Sequence, residues 1–212
     1  FSFDTYHDPS NIRWGALRVF NDDVIQPGQG FPFHPHRDME IITIVLKGAL
    51  QHKDNQGGSG VIRPGDIQVM TAGTGIVHSE FNPSDKEPVH LMQIWILPER
   101  RGLTPRYDQR SFDAATWQNR LQPVVSNHAG NGTLQIHQDA TIYRADLEAG
   151  HEVTHTVSPE RRPYLFVVSG AVKVNGEELF AGDQGRIADE PEVRIEAIEA
   201  AEILLLDLPE IA

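Results

Sequence analysis

The chain repeats itself once, and that repeat limits its fold more than any other feature. The first half carries Val45-Leu46-Lys47-Gly48-Ala49-Leu50, a turn around Asn55 to Gly60, and then Arg63-Pro64-Gly65-Asp66. The second half carries Val167-Val168-Ser169-Gly170-Ala171-Val172, the pair Asn175-Gly176, and then Phe180-Ala181-Gly182-Asp183. Both read as strand, glycine, strand, tight turn, strand and an x-Gly-Asp turn, and Asn-Gly is itself a strong hairpin signal. The copies lie 122 residues apart, Gly48 to Gly170, too far and too few for a solenoid. Around them, short runs such as Ile41 to Leu46, Val89 to Leu97, Tyr164 to Val168 and Ile203 to Leu206 are punctuated by 18 glycines and 14 prolines, a pattern of strands rather than helices. The reading is an all-β chain of two small, jelly-roll-like β-barrels: residues 1–110, a linker at 111–122, and residues 123–212. The polar stretch from Pro98 to Gln122 joins the halves and carries a short helix from Phe112 to Trp117, with Ser111 as its N-cap.

At 212 residues the chain can bury a core without staples. Its net charge of −12 repels phosphates and anionic lipid, so direct nucleic-acid binding and membrane-surface binding are not expected. With no cysteine, disulfide frameworks, thiolate nucleophiles and cysteine-ligated zinc or iron–sulfur sites are all excluded. No stretch approaches the ~18 apolar residues of a membrane-spanning helix. A cytoplasmic location and a monomer are the default expectations. The sequence starts at Phe1, so any targeting signal would lie ahead of it.

Ten histidines are present, and His7, His52, His90, His128 and His137 have no partner at metal-ligand spacing; each reads as a surface or satisfied core residue. His34 and His36 stand just before the first apolar strand. In an extended chain residues i and i+2 share a face, so both imidazoles can converge on one point. His78 and Glu80 repeat that geometry after the Pro64-Gly65-Asp66 turn. Two facing strands could then hold three imidazoles and a carboxylate around one cation, a nitrogen and oxygen set suited to Fe(II), Mn(II), Ni(II), Co(II) or Cu(II) rather than structural zinc. Four protein ligands on an octahedral ion leave two positions for substrate and O₂ or water. The plain alternative is a buried His78–Glu80 pair with His34 and His36 in a loop.

His151-Glu152-Val153-Thr154-His155 matches the H-E-x-x-H pattern of zinc proteases, which needs both histidines one helical turn apart. Gly150, Pro159 and the Val/Thr content between them oppose a helix there. Constant spacing from the repeat glycines sets Thr156 and Ser158 against His34 and His36, and Ile195 and Ala197 against His78 and Glu80. The second barrel is therefore read as metal-free.

These residues resemble the cupin superfamily, and more closely the pirin family of two-domain cupins (bicupins). Gly28-x5-His34-x-His36-x3-Glu40 is similar to the first cupin motif. Thr71-Ala72-Gly73-Thr74-Gly75-Ile76-Val77-His78-Ser79-Glu80 departs from the general second motif and resembles the pirin form, as do His34 to Glu40, Gln93-Ile94-Trp95-Ile96 and Pro105-Arg106-Tyr107. The resemblance runs from Phe1-Ser2-Phe3 to Asp207-Leu208-Pro209, and pirins carry about twenty residues ahead of that start. It is closest to bacterial quercetinase-type pirins. It implies one metal, Fe(II) first among the candidates, held by His34, His36, His78 and Glu80 in the N-terminal barrel, with Glu40 not a ligand. It also implies quercetin 2,3-dioxygenation, in which O₂ opens a flavonol ring and carbon monoxide is released. There Glu80 would be the catalytic base, and Phe31, Phe33, Met70, Phe81, Met92 and Trp95 candidate walls. Two other roles compatible with the resemblance are an iron-dependent redox-sensing regulator that binds a protein partner, and a cupin dioxygenase acting on another substrate.

Overall fold

In the computed structural model, residues 1–2, 5–128, 130 and 132–211 are described; Phe3, within the Phe1-Ser2-Phe3 segment, lies outside them. Strands dominate throughout. The chain divides into two compact units: Phe1–Arg13, Leu17–Asp113 and Leu134–Gln138 form the first, and Trp14–Ala16, Ala114–Thr133 and Asp139–Ala212 the second. No helix among the described residues is long and apolar enough to cross a membrane.

In the first unit, β1 (Leu17–Ile25), β3 (Glu40–Lys47), β6 (Asp66–Thr71), β8 (Val89–Ile96) and β9 (Arg106–Ser111) build one sheet in the order β1-β8-β3-β6-β9. A second sheet runs β2-β7-β4-β5, from β2 (Gly30–His36), β4 (Leu50–Asp54), β5 (Ser59–Ile62) and β7 (Ile76–Phe81). All pairings within it are antiparallel. The two sheets meet through side chains: Gln93 of β8 donates to Glu80 of β7, and Gln109 of β9 donates to the Val61 carbonyl of β5. Central β3 is covered on both faces, which is why its Ile41-Ile42-Thr43-Ile44-Val45 run does not alternate. Apolar clusters that flank the interior include Ile25-Val45-Leu50-Ile62-Val89-Leu91 and Ile41-Met70-Ala72-Ile76. Between them one row crosses the large sheet and is polar throughout: Asn21 faces Gln93, Gln93 faces Thr43, Thr43 faces Gln68 and Gln68 faces Gln109.

The second unit starts with a single 3-10 turn, Ala114–Trp117, where the sequence predicts a short helix from Phe112. Ser111 closes β9 instead of capping a helix, and its hydroxyl bonds Asp66. Then follow β10 (Gln122–Ser126), β11 (Leu134–Gln135, which returns to the first unit), β12 (Thr141–Leu147), β13 (Glu152–Thr156), β14 (Tyr164–Ser169), β15 (Ala171–Val174), β16 (Glu177–Phe180), β17 (Gln184–Arg186), β18 (Glu192–Ala197) and β19 (Ala201–Asp207). Within this unit one sheet reads β10-β12-β19-β14-β17 and the other β13-β18-β15-β16. One apolar cluster on the inner face of its sheets includes Leu165, Val167, Val172, Val193, Ile195, Ala197, Ile203 and Leu205.

The repeat glycines have a common physical reason. Gly48 and Gly170 adopt φ of +80° and +76°, and a Cβ there would sit 2.7 Å from the Pro88 carbonyl oxygen and 2.1 Å from that of Ala200.

Candidate metal centre

The site stands on β2 and β7. Phe31 pairs with Glu80 and His34 with His78, and the register shifts by one residue between them. This bulge resets the alternation of β2, so that odd-numbered Phe31 and even-numbered His34 and His36 all turn inward. The three ring centroids of His34, His36 and His78 lie 4.4–4.8 Å apart. Their donor nitrogens fall within 4.8 Å of one another, and so do donor atoms of His52, His78 and Glu80. Among the described residues these are the two groupings of three or more potential ligands close enough to hold an ion, and both lie in the first unit.

The donor atoms are prepared for a cation. His34 Nδ1 lies 2.7 Å from the Pro32 carbonyl, which can only accept, so the proton is on Nδ1 and Nε2 keeps its lone pair. His78 Nε2 and Glu80 Oε1 are buried and meet no hydrogen-bond partner. Such atoms are costly to bury unless something else satisfies them. The other carboxylate oxygen, Glu80 Oε2, accepts from Gln93 Nε2 at 2.7 Å, and Trp95 Nε1 donates to Gln93 Oε1 at 3.3 Å. Burial, helped by the neighbouring His34, holds His36 down to about 4; burial with His34, His36 and His52 holds His78 down to about 2. Burial, with the nearby charge of Asp23, pushes Glu80 up to about 7 against the pull of Gln93 and, more weakly, of the Thr43 hydroxyl. Neutral imidazoles and a carboxylate without sulfur suit a divalent transition ion, and the residues present fit one.

A cavity of about 320 Å³ opens beside these groups, lined by Asn21, Phe31, Pro32, His34, His36, Glu80, Gln93 and Trp95. Of the apolar walls expected from sequence, Phe31 and Trp95 line it. Met70 belongs to the core, Met92 is fully buried away from the cavity lining, Phe81 is not among the lining residues, and Phe33 is 63% exposed. Glu40 is buried elsewhere: it accepts from Thr71 Oγ1 at 2.8 Å and lies 3.5 Å from His137 Nδ1.

Sequence reasoning missed His52 and Asp54. Register sets His52 of β4 opposite Glu80 and Asp54 opposite His78. His52 is fully buried, with Nε2 3.0 Å from Asp54 Oδ2 and Nδ1 3.3 Å from His78 Nδ1. The Tyr107 ring stacks on it at 4.6 Å. The available signal was the 52, 54 spacing on a strand that hairpin logic places beside His78 and Glu80.

The second unit offers an internal control. Asn55 and Val77 exchange two hydrogen bonds through the Asn55 backbone amide and side chain, and Asn175 and Arg194 exchange the same two. On that anchor Ile195 and Ala197 stand where His78 and Glu80 do. Strand pairing then sets Val153 and His155 against His34 and His36, three residues earlier than constant spacing gives, which corrects the Thr156 and Ser158 correspondence. His155 is held by Asp207 at 3.2 Å. The H-E-x-x-H segment is strand β13, with exposed His151 just ahead of it and no helix.

Comparison with known proteins agrees with this geometry. Residues 1–96 match the Pirin family model, and residues 123–208 match the model of the quercetinase C-terminal cupin domain. A protein of Escherichia coli K12 named quercetin 2,3-dioxygenase is 48% identical over 209 residues, 99% of this chain and 89% of the relative. The chain belongs to the pirin family. A pirin-like protein of Caulobacter vibrioides is 43% identical over 98% of this pirin and 89% of its own length. The crystal structure of YhhW from Escherichia coli superposes with a TM-score of 0.96 at 47% identity, covering 100% of this pirin and 89% of that chain. The bacterial pirin YhhW in complex with nickel(II) gives 0.94, also at 47%, over 100% and 90%. The pirin fold, with its two cupin-like domains, and a site for a divalent metal ion follow from these findings together with the donor cluster.

Proposed function

We propose that this pirin is a metal-dependent quercetin 2,3-dioxygenase, which opens the heterocycle of a flavonol with O₂ and releases a depside and carbon monoxide. The observation that carries the reading is the pair of buried, partnerless donor atoms, His78 Nε2 and Glu80 Oε1, beside a cavity with aromatic walls. His34, His36, His78 and Glu80 are assigned as the metal ligands, in the N-terminal domain of residues 1–110. The ion is assigned as Fe(II), with Cu(II), Mn(II), Ni(II) and Co(II) compatible with the same donors. The similarity to relatives named quercetin 2,3-dioxygenase, and to a pirin crystallised with nickel(II), supports the reading.

A bound divalent ion would lower the pKa of the flavonol 3-hydroxyl and stabilise its oxyanion. The chain's residues do the rest. Gln93 fixes Glu80 through Oε2, so Oε1 would hold the ion and, when that bond loosens, accept the 3-hydroxyl proton, which makes Glu80 the base. Phe31, Pro32 and Trp95 offer apolar faces to the flavonol rings and keep water out. The cavity's volume lies at the lower end of the range of about 300–1,000 Å³ typical of small-molecule sites.

The test is oxygen uptake with quercetin by chelator-stripped protein reloaded separately with Fe(II), Cu(II), Mn(II), Ni(II) and Co(II), with carbon monoxide followed in parallel. The expected result is metal-dependent uptake matched by carbon monoxide and lost in His34→Ala. Metal binding without turnover by any ion would overturn the flavonol assignment and favour a redox-sensing role toward a protein partner. Faster turnover of another polyphenol than of quercetin would reassign the substrate. Glu80→Gln with full metal affinity and full turnover would remove Glu80 as the base.

A further inference from the structure

We infer that Asp54 and His52 act as a positioning pair that dictates which nitrogen of His78 carries the proton, and so leaves Nε2 bare toward the ion. The inference rests on the reading of His78 as a metal ligand.

A chain of acceptor-only and donor-only contacts fixes every proton. The Asp54 carboxylate can only accept, and His52 Nε2 lies 3.0 Å from Oδ2, so His52 carries its proton on Nε2. The neutral His52 ring then has a lone pair on Nδ1. That atom faces His78 Nδ1 at 3.3 Å, so the hydrogen between them belongs to His78. With its proton on Nδ1, His78 presents Nε2 as a lone pair, and this is the buried atom that meets no hydrogen-bond partner. Asp54 is itself pinned. Its Oδ1 accepts from the backbone amides of Gln56 and Gly58, each at 2.8 Å, and its side chain is fully buried. The pair thus reaches from a turn held by the backbone, through one ring, to the nitrogen opposite the coordinating atom. Outer partners of ligating histidines typically act in this way, by setting tautomer and ring orientation.

Asp54→Asn reverses the chain without moving it. The two backbone amides require an oxygen at the Oδ1 position, so the new NH₂ group must occupy the Oδ2 position and face His52. It donates to His52 Nε2, which moves the His52 proton to Nδ1. His52 then donates to His78 Nδ1, and the His78 proton is left on Nε2, where it blocks coordination.

The experiment is a two-bond ¹H–¹⁵N correlation of the imidazole rings in chelator-stripped protein, paired with calorimetric titration of Ni(II). Wild type is expected to show a pyrrole-type Nδ1 and a pyridine-type Nε2 at His78. Asp54→Asn is expected to invert the two and to bind Ni(II) about 10–100-fold more weakly. In a His52→Asn background the amide oxygen accepts from His78 directly, so adding Asp54→Asn should then change neither signal nor affinity. A wild-type His78 protonated on Nε2 overturns the inference with no variant needed. So does a folded Asp54→Asn protein that keeps the wild-type tautomer and binds Ni(II) within twofold. If wild type takes up no Ni(II), the metal reading falls, while the ring correlation still decides the relay.

Discussion

One row of the large sheet reads Asn21, Gln93, Thr43, Gln68 in the first unit and Tyr143, Leu205, Leu165, Gly185 in the second. The strand plan is shared, but the interior is not. In the second unit Leu165 and Leu205 belong to one continuous apolar cluster that also holds Ile195 and Ala197. In the first, both polar atoms of Gln68, together with His78 Nε2 and Glu80 Oε1, are buried without partners. Burying polar groups unpaired disfavours folding, whereas filling the same space with aliphatic side chains favours it. The comparison therefore teaches that the fold does not need the polar interior. The scaffold closes over either content, and the polar one calls for a reason other than stability.

The equivalent positions His78 and Ile195 give the widest contrast. His78→Ala should lower metal affinity by more than about a hundredfold, beyond the loss expected for an outer partner, while chelator-stripped protein loses less stability than Ile195→Ala does, because removing the unpartnered Nε2 offsets the unpaired His52 Nδ1 left behind. Ile195→Ala should do the reverse. It is expected to cost about 2–5 kcal/mol in urea unfolding, with the Ni(II) affinity of the folded protein unchanged. Equal stability losses in both variants would break the contrast.

Two carboxylates, Glu40 fully buried and Asp207 partly so, sharpen it through pH. Burial pushes Glu40 of the first unit from the ordinary 4.5 up to about 7, with Thr71 pulling the other way. A raised folded pKa means that its contribution is fully present below pH 4.5 and is lost as pH rises toward 7. Glu40→Gln should remove that loss, on the order of 3 kcal/mol, from the pH dependence of chelator-stripped protein. At Asp207 in the second unit, burial raises the pKa, but the hydrogen bonds from His155 and Arg161 outweigh it and hold the carboxyl below its ordinary value of 3.8. That contribution is present above pH 3.8 and is lost on acidification below it, so Asp207→Asn should flatten the acid limb instead. Slopes of the same sign at the two sites, measured by urea midpoints across pH, would contradict these assignments. The smallest effect is expected at Gln68→Leu, which extends to this position the aliphatic character that Leu165 and Leu205 give the second unit's row. Removing two buried, unpartnered polar atoms should raise stability by about 1 kcal/mol without altering metal binding.

Much of this comparison is legible in the sequence, for identifiable reasons. The repeat shows because Gly48 and Gly170 must adopt positive φ against a neighbouring carbonyl, so the residue type cannot drift. The His34-x-His36 and His78-x-Glu80 pairs show because strand alternation alone puts i and i+2 on one face. What stays hidden depends on pairing between strands. His52 and Asp54 become neighbours of His78 only through the register of β4 on β7, which no local pattern reports. Gln68 sits among Ile67 and Val69, where alternation reads it as solvent-facing; the covering sheet turns that face into interior. The Thr156 and Ser158 correspondence fails because three more residues separate β13 from its repeat glycine than separate β2 from Gly48: Val153 lies 17 residues before Gly170, His34 only 14 before Gly48.

The bulge in β2 carries a consequence for how such a site can change over generations. The strand is divided at that point into two stretches with independent parity. Upstream, Phe31 lines the cavity; downstream, His34 and His36 belong to the candidate donor cluster. Replacement of Phe31 by other side chains can alter the admitted molecule while the imidazoles keep their places. Gain or loss of one residue between Phe31 and His34 would turn both imidazoles out together. The segment is thus open to substitution and closed to changes of length, a combination that lets the cavity lining vary without dispersing the donor cluster.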